Sequence, residues 1–204
     1  HYELLVMAYR CNRVGFSKSV LNVKKEIKPL LSCTWNQEMP FKLHTPKDNN
    51  VNMPTGCVAT AVSQLMYYNK WPTKRPSKFV DQSGTNAQKS SVYLWNEIKD
   101  NSTQMGEVGK DAVGVLLSDV GKAVNMKYEA KGSISNMQWA LDALRKNFDY
   151  SVKHISKEYM PKGMFYELVI NELANGYPVL IGESSHSFLL DGIDKQGYIH
   201  VNWG

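Results

Sequence analysis

The segment Pro54-Thr55-Gly56-Cys57 and the apolar stretch after it constrain this chain most. Val58, Ala61, Val62, Leu65 and Met66 recur at i, i+3, i+4, i+7 and i+8. That spacing predicts a helix with a wide apolar stripe, around which a core must be built. Thr55 is the expected N-cap, and Trp71-Pro72 the expected stop, because the residue before proline disfavours helix. Gly56 permits a close approach at the helix start. Cys57 then falls in the first turn, where free N–H groups favour negative charge. A thiol placed there is biased toward the nucleophilic thiolate. A free cysteine in a buried turn is otherwise a small apolar filler, so chemistry at Cys57 requires partners.

Thiol-based acyl transfer needs an imidazole to carry the proton, a group to orient it, and donors for the oxyanion. His186 opens an apolar run, Phe188-Leu189-Leu190, and Asn202 comes 16 residues later across an expected hairpin. An odd-length connection, with Gly197 in a bulge, puts both on one sheet face, where Asn202 orients the imidazole. Trp203 is positioned to shield that contact. Gln37, in Trp35-Asn36-Gln37 ahead of the helix, offers a side-chain amide as a second oxyanion donor beside the Cys57 N–H.

The rest of the chain predicts an α+β domain. Apolar positions at helical spacing mark Val108–Val124, Ser135–Asn147 and Gly163–Asn175, the last closed by Gly176. After Pro178 the pattern changes to short strands at Val179–Ile181, Phe188–Leu190 and Tyr198–Val201, with Asp194–Gly197 as a turn. A helical lobe therefore precedes an antiparallel β lobe, with a cleft between them. Residues 1–31 read as helical, with Leu4, Leu5, Met7 and Ala8 clustered and Val20, Val23, Ile27 and Leu30 at helical intervals. Residues 73–105 read as a surface excursion. In domain terms, 1–25 is an N-terminal helical arm and 26–204 the main domain.

The 204 residues are 43% hydrophobic and 21% charged, which fits one packed domain and excludes a wholly disordered chain. The net charge of +5 is spread over the surface, with its densest groups at Lys24-Lys25 and Lys70–Lys78 and no aromatic interleaving. No nucleic-acid partner is implied. No apolar run approaches the roughly 20 residues of a membrane span. The three cysteines, Cys11, Cys33 and Cys57, lack zinc spacing, so no metal is expected.

Taken together, these residues resemble the streptopain family of papain-like bacterial cysteine peptidases. The resemblance is carried by Trp35-Asn36-Gln37 with Pro40-Phe41, and by Thr55-Gly56-Cys57-Val58-Ala59-Thr60-Ala61 running on to Gln64, Met66, Tyr68 and Pro72. It continues through Leu117, Asp119-Val120-Gly121, Val124 and Tyr128, then Ala140-Leu141 and Asn147-Phe148. It ends on His186, Phe188, Asp191-Gly192 and His200-Val201-Asn202-Trp203-Gly204. It covers roughly residues 30 to 204.

The resemblance implies a papain-like fold, secretion, and synthesis as a zymogen whose own pro-domain is the inhibitor. It implies endopeptidase action on protein or peptide substrates, with an apolar side chain preferred near the scissile bond and no cofactor. Residue by residue it implies Cys57 as nucleophile, His186 as acid/base, Gln37 in the oxyanion hole, Asn202 as orienter and Trp203 packed over that contact. Gly132, Ser133 and Ser135 would border the substrate cleft.

Three departures accompany it. Serines flank His186 where the family carries glycines and a longer preceding loop. The sequence given stops at Gly204, where the family continues with further strands, so a fragment or cleavage product is expected. Residues 1 to about 25 match poorly, as a pro-segment tail would. Two alternatives stay open at this level: a latent papain-like protein that only binds peptides, and a thiol acyltransferase.

Overall fold

The structure, a computed structural model, describes residues 2–10, 26–80, 86–156, 161, 163–183 and 185–204. The predicted central helix is α1, Cys57–Asn69. Its apolar positions are all buried, and so is every residue from Val58 to Tyr67. Each fully buried Leu65- or Met66-sized side chain contributes about 1.5–3 kcal/mol. The cap differs from expectation. Gly56 is the N-cap, with no side-chain hydrogen bond, while the Thr55 hydroxyl turns inward to that of Thr60 at 2.9 Å.

Three more helices match the 3.6-residue periodicity: α3 (Glu107–Ala123), α4 (Met137–Asn147) and α5 (Met164–Ala174). A short turn of helix, α2 (Asn86–Lys89), precedes them. Gly176, with φ of 79°, lies just past the end of α5 as expected, and its N–H reaches the Leu173 carbonyl.

Apart from a two-residue ladder of β2 (Lys47–Asp48) and β3 (Val51–Asn52), the strands form one antiparallel sheet. Its members are β1 (Tyr2–Arg10), β4 (Tyr150–Ile155), β5 (Val179–Glu183), β6 (Ser187–Ile193) and β7 (Ile199–Asn202), in the order β4-β1-β5-β6-β7. The sheet is covered on both faces. Leu180 and Leu189 join the core of α1, α3 and α4, whereas Val179, Ile181, Phe188 and Leu190 pack with Val169 and Leu173 of α5. Burial on both sides explains why β5 and β6 are continuously apolar rather than alternating.

Two expectations are corrected. Residues 2–10 are a strand, not a helix, and β1 lies inside the sheet, with Leu5 opposite Ile155 on one side and Ile181 on the other. An unbroken apolar run has no polar face by which helix and strand periods can be told apart. Ile27 and Leu30, also read as helical, lie in an extended segment hydrogen-bonded to Ile193 and Asp191. The rest of the expected helix, 11–25, lies outside the described residues.

The second correction concerns residues 73–80 and 86–105, a surface excursion that is anchored inward by a few buried side chains, Arg75, Ala87, Tyr93, Trp95, Ile98 and Met105. Arg75, placed by its neighbours in a basic surface group, is buried. Its guanidinium is bidentate to Asp119 at 2.8 and 3.1 Å and donates to the carbonyls of Phe79, Ala87, Gln88 and Ser90. Tyr93 and Trp95 are buried beside it.

Candidate active site

The site is built outward from the start of α1. Cys57 is its first residue and is half-buried against the core. Gly56 turns the chain into the helix at φ 84° and ψ 140°, a conformation open essentially to glycine alone. The approach is also tight. A Cβ on Gly56 would lie 2.7 Å from the Met126 side chain and 2.9 Å from the Ser133 carbonyl oxygen. The 132–135 loop therefore borders the nucleophile's turn. Its serine hydroxyls face inward, Ser133 donating to the Pro54 carbonyl and Ser135 to the Val124 carbonyl. These hydroxyls hold the loop, while Gly132 has open space around it and Ile134 carries an exposed apolar side chain.

Gln37 is brought to the same corner. Trp35 is buried with its ring 4.7 Å from that of Tyr67 and 5.7 Å from that of Phe41, and its indole N–H donates to the Lys99 carbonyl. That anchor carries Gln37 past the start of α1, where its carbonyl accepts from Thr55 N–H at 3.4 Å.

His186 stands just before β6, where its own carbonyl accepts from Glu183 N–H at 2.9 Å. Its ring lies 6.2 Å from that of Phe188 and 6.0 Å from that of Trp203. Nε2 is 2.8 Å from the Trp203 carbonyl oxygen. A carbonyl only accepts, so Nε2 carries the proton, and in the neutral ring Nδ1 is the free lone pair.

The direct contact expected between Asn202 and His186 is replaced by this one. Asn202 pairs with Leu189, so its side chain shares the face that Leu189 buries toward α1. His186 is an odd number of residues from Leu189, in step with Phe188 on the opposite face. Asn202 is engaged elsewhere, donating to the Cys33 carbonyl at 3.0 Å and accepting from Gln64 Nε2 at 2.9 Å. Sequence reasoning gives Gln64 no role in this arrangement. Its signal is a long amide side chain at i+7 from Cys57, inside the buried stretch of the helix.

The peptide after Trp203 runs close beside α1. A Cβ on Gly204 would lie 3.1 Å from Thr60, one turn into α1. Elsewhere the second described cysteine, Cys33, is buried, and burial with the Asp100 charge pushes its thiol up to about 12. His200, the histidine of β7, is engaged at 2.6 Å with the buried Asp191 carboxylate. Among the described residues no group of three or more His, Cys, Asp or Glu side chains could hold a metal ion. No helix among them is long and apolar enough to cross a membrane.

Comparison with known proteins extends the site's pattern to most of the chain. The peptidase C10 family profile matches residues 35–204. This chain belongs to the peptidase C10 family. Within it, streptopain from Streptococcus pyogenes is 30% identical over 199 residues, covering 83% of this chain and 50% of the relative. The thiol protease/hemagglutinin PrtT of Porphyromonas gingivalis is 31% identical over 185 residues, covering 83% of this chain and 21% of the relative. The chain thus spans half or less of the length of these curated C10 relatives.

The active wild-type interpain A cysteine protease of Prevotella intermedia superposes with a TM-score of 0.71 at 30% identity, covering 88% of this chain and 82% of its own. A prointerpain A fragment from the same organism superposes at 0.75 and 30% identity, covering 95% of this chain and 66% of its own. The mixed helix-and-sheet fold is therefore that of a C10 cysteine protease.

Proposed function

We propose that this chain hydrolyses peptide bonds, with Cys57 as nucleophile and His186 as acid/base. The observation that carries the reading is the His186 Nε2 contact to the Trp203 carbonyl, which leaves Nδ1 as the proton acceptor. The Cys57 thiolate attacks the substrate carbonyl carbon. The oxyanion is met by the Cys57 N–H and the Gln37 side chain. The imidazolium, protonated at Nδ1, gives its proton to the leaving amine, and a thioester remains. Nδ1 then takes a proton from water, whose oxygen displaces the thiolate and releases the acid.

In this reading the papain-like cleft runs between the helices and the sheet, and Gly132 and Ile134 border it. An apolar substrate side chain is preferred there, and no cofactor takes part. The protein is secreted and made as a zymogen, with its own pro-domain as inhibitor. Residues 1 to about 25 are then the pro-segment tail. The larger share of this chain covered by the pro-form of interpain A than by its active form supports that assignment.

The test pairs hydrolysis with labelling. Cys57→Ala abolishes casein cleavage, and iodoacetamide at pH 7.5 alkylates Cys57 well before Cys33, as peptide mapping reads directly. A Cys57→Ala protein that cleaves at the wild-type rate, or equal labelling of the two thiols, overturns the proposal.

A further inference from the structure

We propose that Gln64 and Asn202 position the His186 imidazole indirectly, through the peptide group that joins Trp203 to Gly204. The inference rests on the reading of His186 as the base. Three contacts fix the Asn202 amide: Nδ2 donates to the Cys33 carbonyl at 3.0 Å, while Oδ1 accepts from Gln64 Nε2 at 2.9 Å and from Gly204 N–H at 3.3 Å. The Cys33 carbonyl accepts only, which settles which end of the amide is nitrogen and turns Oδ1 toward both donors.

Gly204 N–H and Trp203 C=O belong to one planar peptide unit, in which they point in opposite directions. Asn202 grips the N–H side of that plane, and His186 Nε2 sits on the C=O side at 2.8 Å. Turning the plane away from Asn202 turns the carbonyl away from the imidazole.

Gln64 ties this plane to the nucleophile's own helix. It lies two turns beyond Cys57 on the same face, fully buried. Its Oε1 has no hydrogen-bond partner among the described residues. A buried acceptor left unmatched is a cost that packing alone does not justify, since a methionine of similar shape would fill the space without it. The donor end is the reason for a glutamine at this position. Cys57 and the group that aims His186 are thus fixed to one rigid element.

The test uses the full chain with Gln64→Met, Asn202→Ala and the double variant. Gln64→Met removes the orphan acceptor together with the donor, so its melting temperature stays close to wild type while kcat falls about tenfold to a hundredfold at unchanged KM. The pH profile of Cys57 alkylation, which needs no turnover, shifts in the same direction as in His186→Ala. Because the two side chains act in series, the double variant is no slower than Asn202→Ala alone. Wild-type kcat and an unshifted alkylation profile in Gln64→Met overturn the relay, and so do multiplicative losses in the double variant. If His186→Ala itself leaves the alkylation profile unchanged, the assignment of the base has failed instead. Gln64→Met decides by itself should Asn202→Ala fail to fold.

Discussion

Replacing Gly56 by alanine adds one methyl group at the most crowded corner of the site. It carries two independent penalties. The backbone at φ 84° and ψ 140° is foreign to an L-residue, and holding alanine there costs about 1–3 kcal/mol. The new methyl also overlaps the Met126 thioether at 2.7 Å and the Ser133 carbonyl at 2.9 Å. The thioether can swing aside, but the carbonyl belongs to a backbone pinned by the Ser133 hydroxyl on Pro54. Overpacking of this kind costs about 1–3 kcal/mol. The expected loss is about 2–6 kcal/mol, against a total stability of about 5–15 kcal/mol for a typical domain.

Gly56→Ala therefore folds, with a clearly lowered urea midpoint at constant slope. Hydrolysis of a peptide substrate falls further than stability does, because relief of the overlap moves either the first turn of α1 or the 132–135 loop. Gly106→Ala is the control. Gly106 also precedes a helix, but at φ −69° and with nothing within 4 Å of an added Cβ. There the unfolded chain is restricted without native strain, and stability stays level or rises by about 0.4–1 kcal/mol. A loss below about 1 kcal/mol in Gly56→Ala, or equal effects at the two glycines, refutes the reasoning.

Two further perturbations probe the scaffold around the site. Arg75→Met leaves the Asp119 carboxylate buried without its cation and takes the guanidinium donors away from the carbonyls of Phe79, Ala87, Gln88 and Ser90; urea unfolding should show a loss of about 3–5 kcal/mol. Lys70 is exposed as a residue, yet partial desolvation of its ammonium, which outweighs the opposing attraction of Asp100, holds it down to about 8. Its folded value lies below its unfolded one, so between about pH 8 and 10.5 the unfolded chain holds a proton that the folded chain has lost. Thermal melts across that window should therefore shift the difference between wild type and Lys70→Met in favour of wild type as pH rises, and a flat difference counts against the partial desolvation of the Lys70 ammonium.

The parts legible in the sequence are those with a period. α1, α3, α4 and α5 show an apolar face every 3.6 residues, and β5 to β7 show short apolar runs separated by a recognisable turn at Asp194–Gly197. β1 is hidden because its apolar run is unbroken, and both periods fit it. The inward anchor of the excursion is hidden because Arg75 looks like its lysine neighbours until Asp119, 44 residues away, is folded against it.

At the site, Cys57, Gln37 and His186 stand out by residue type, which a sequence displays. What holds the imidazole is a main-chain carbonyl at Trp203, and every residue owns one. Main-chain acceptors leave no mark in a sequence, so the more visible Asn202 amide reads as the partner. The face that Asn202 occupies depends on its pairing with Leu189, which only the folded register decides.

The inner place of β1 bears on how such a chain is made. Leu5 is paired with Ile155 and Ile181, so both neighbours of this strand are about 150 residues or more downstream. At a synthesis rate of about 5–20 residues per second, β1 waits on the order of 8–30 s before even the nearer of its partners exists. Throughout that delay both of its edges are open to pairing with other chains. The sheet therefore closes late, around a strand that left the ribosome early, and whatever guards those edges in the meantime decides the yield of folded protein.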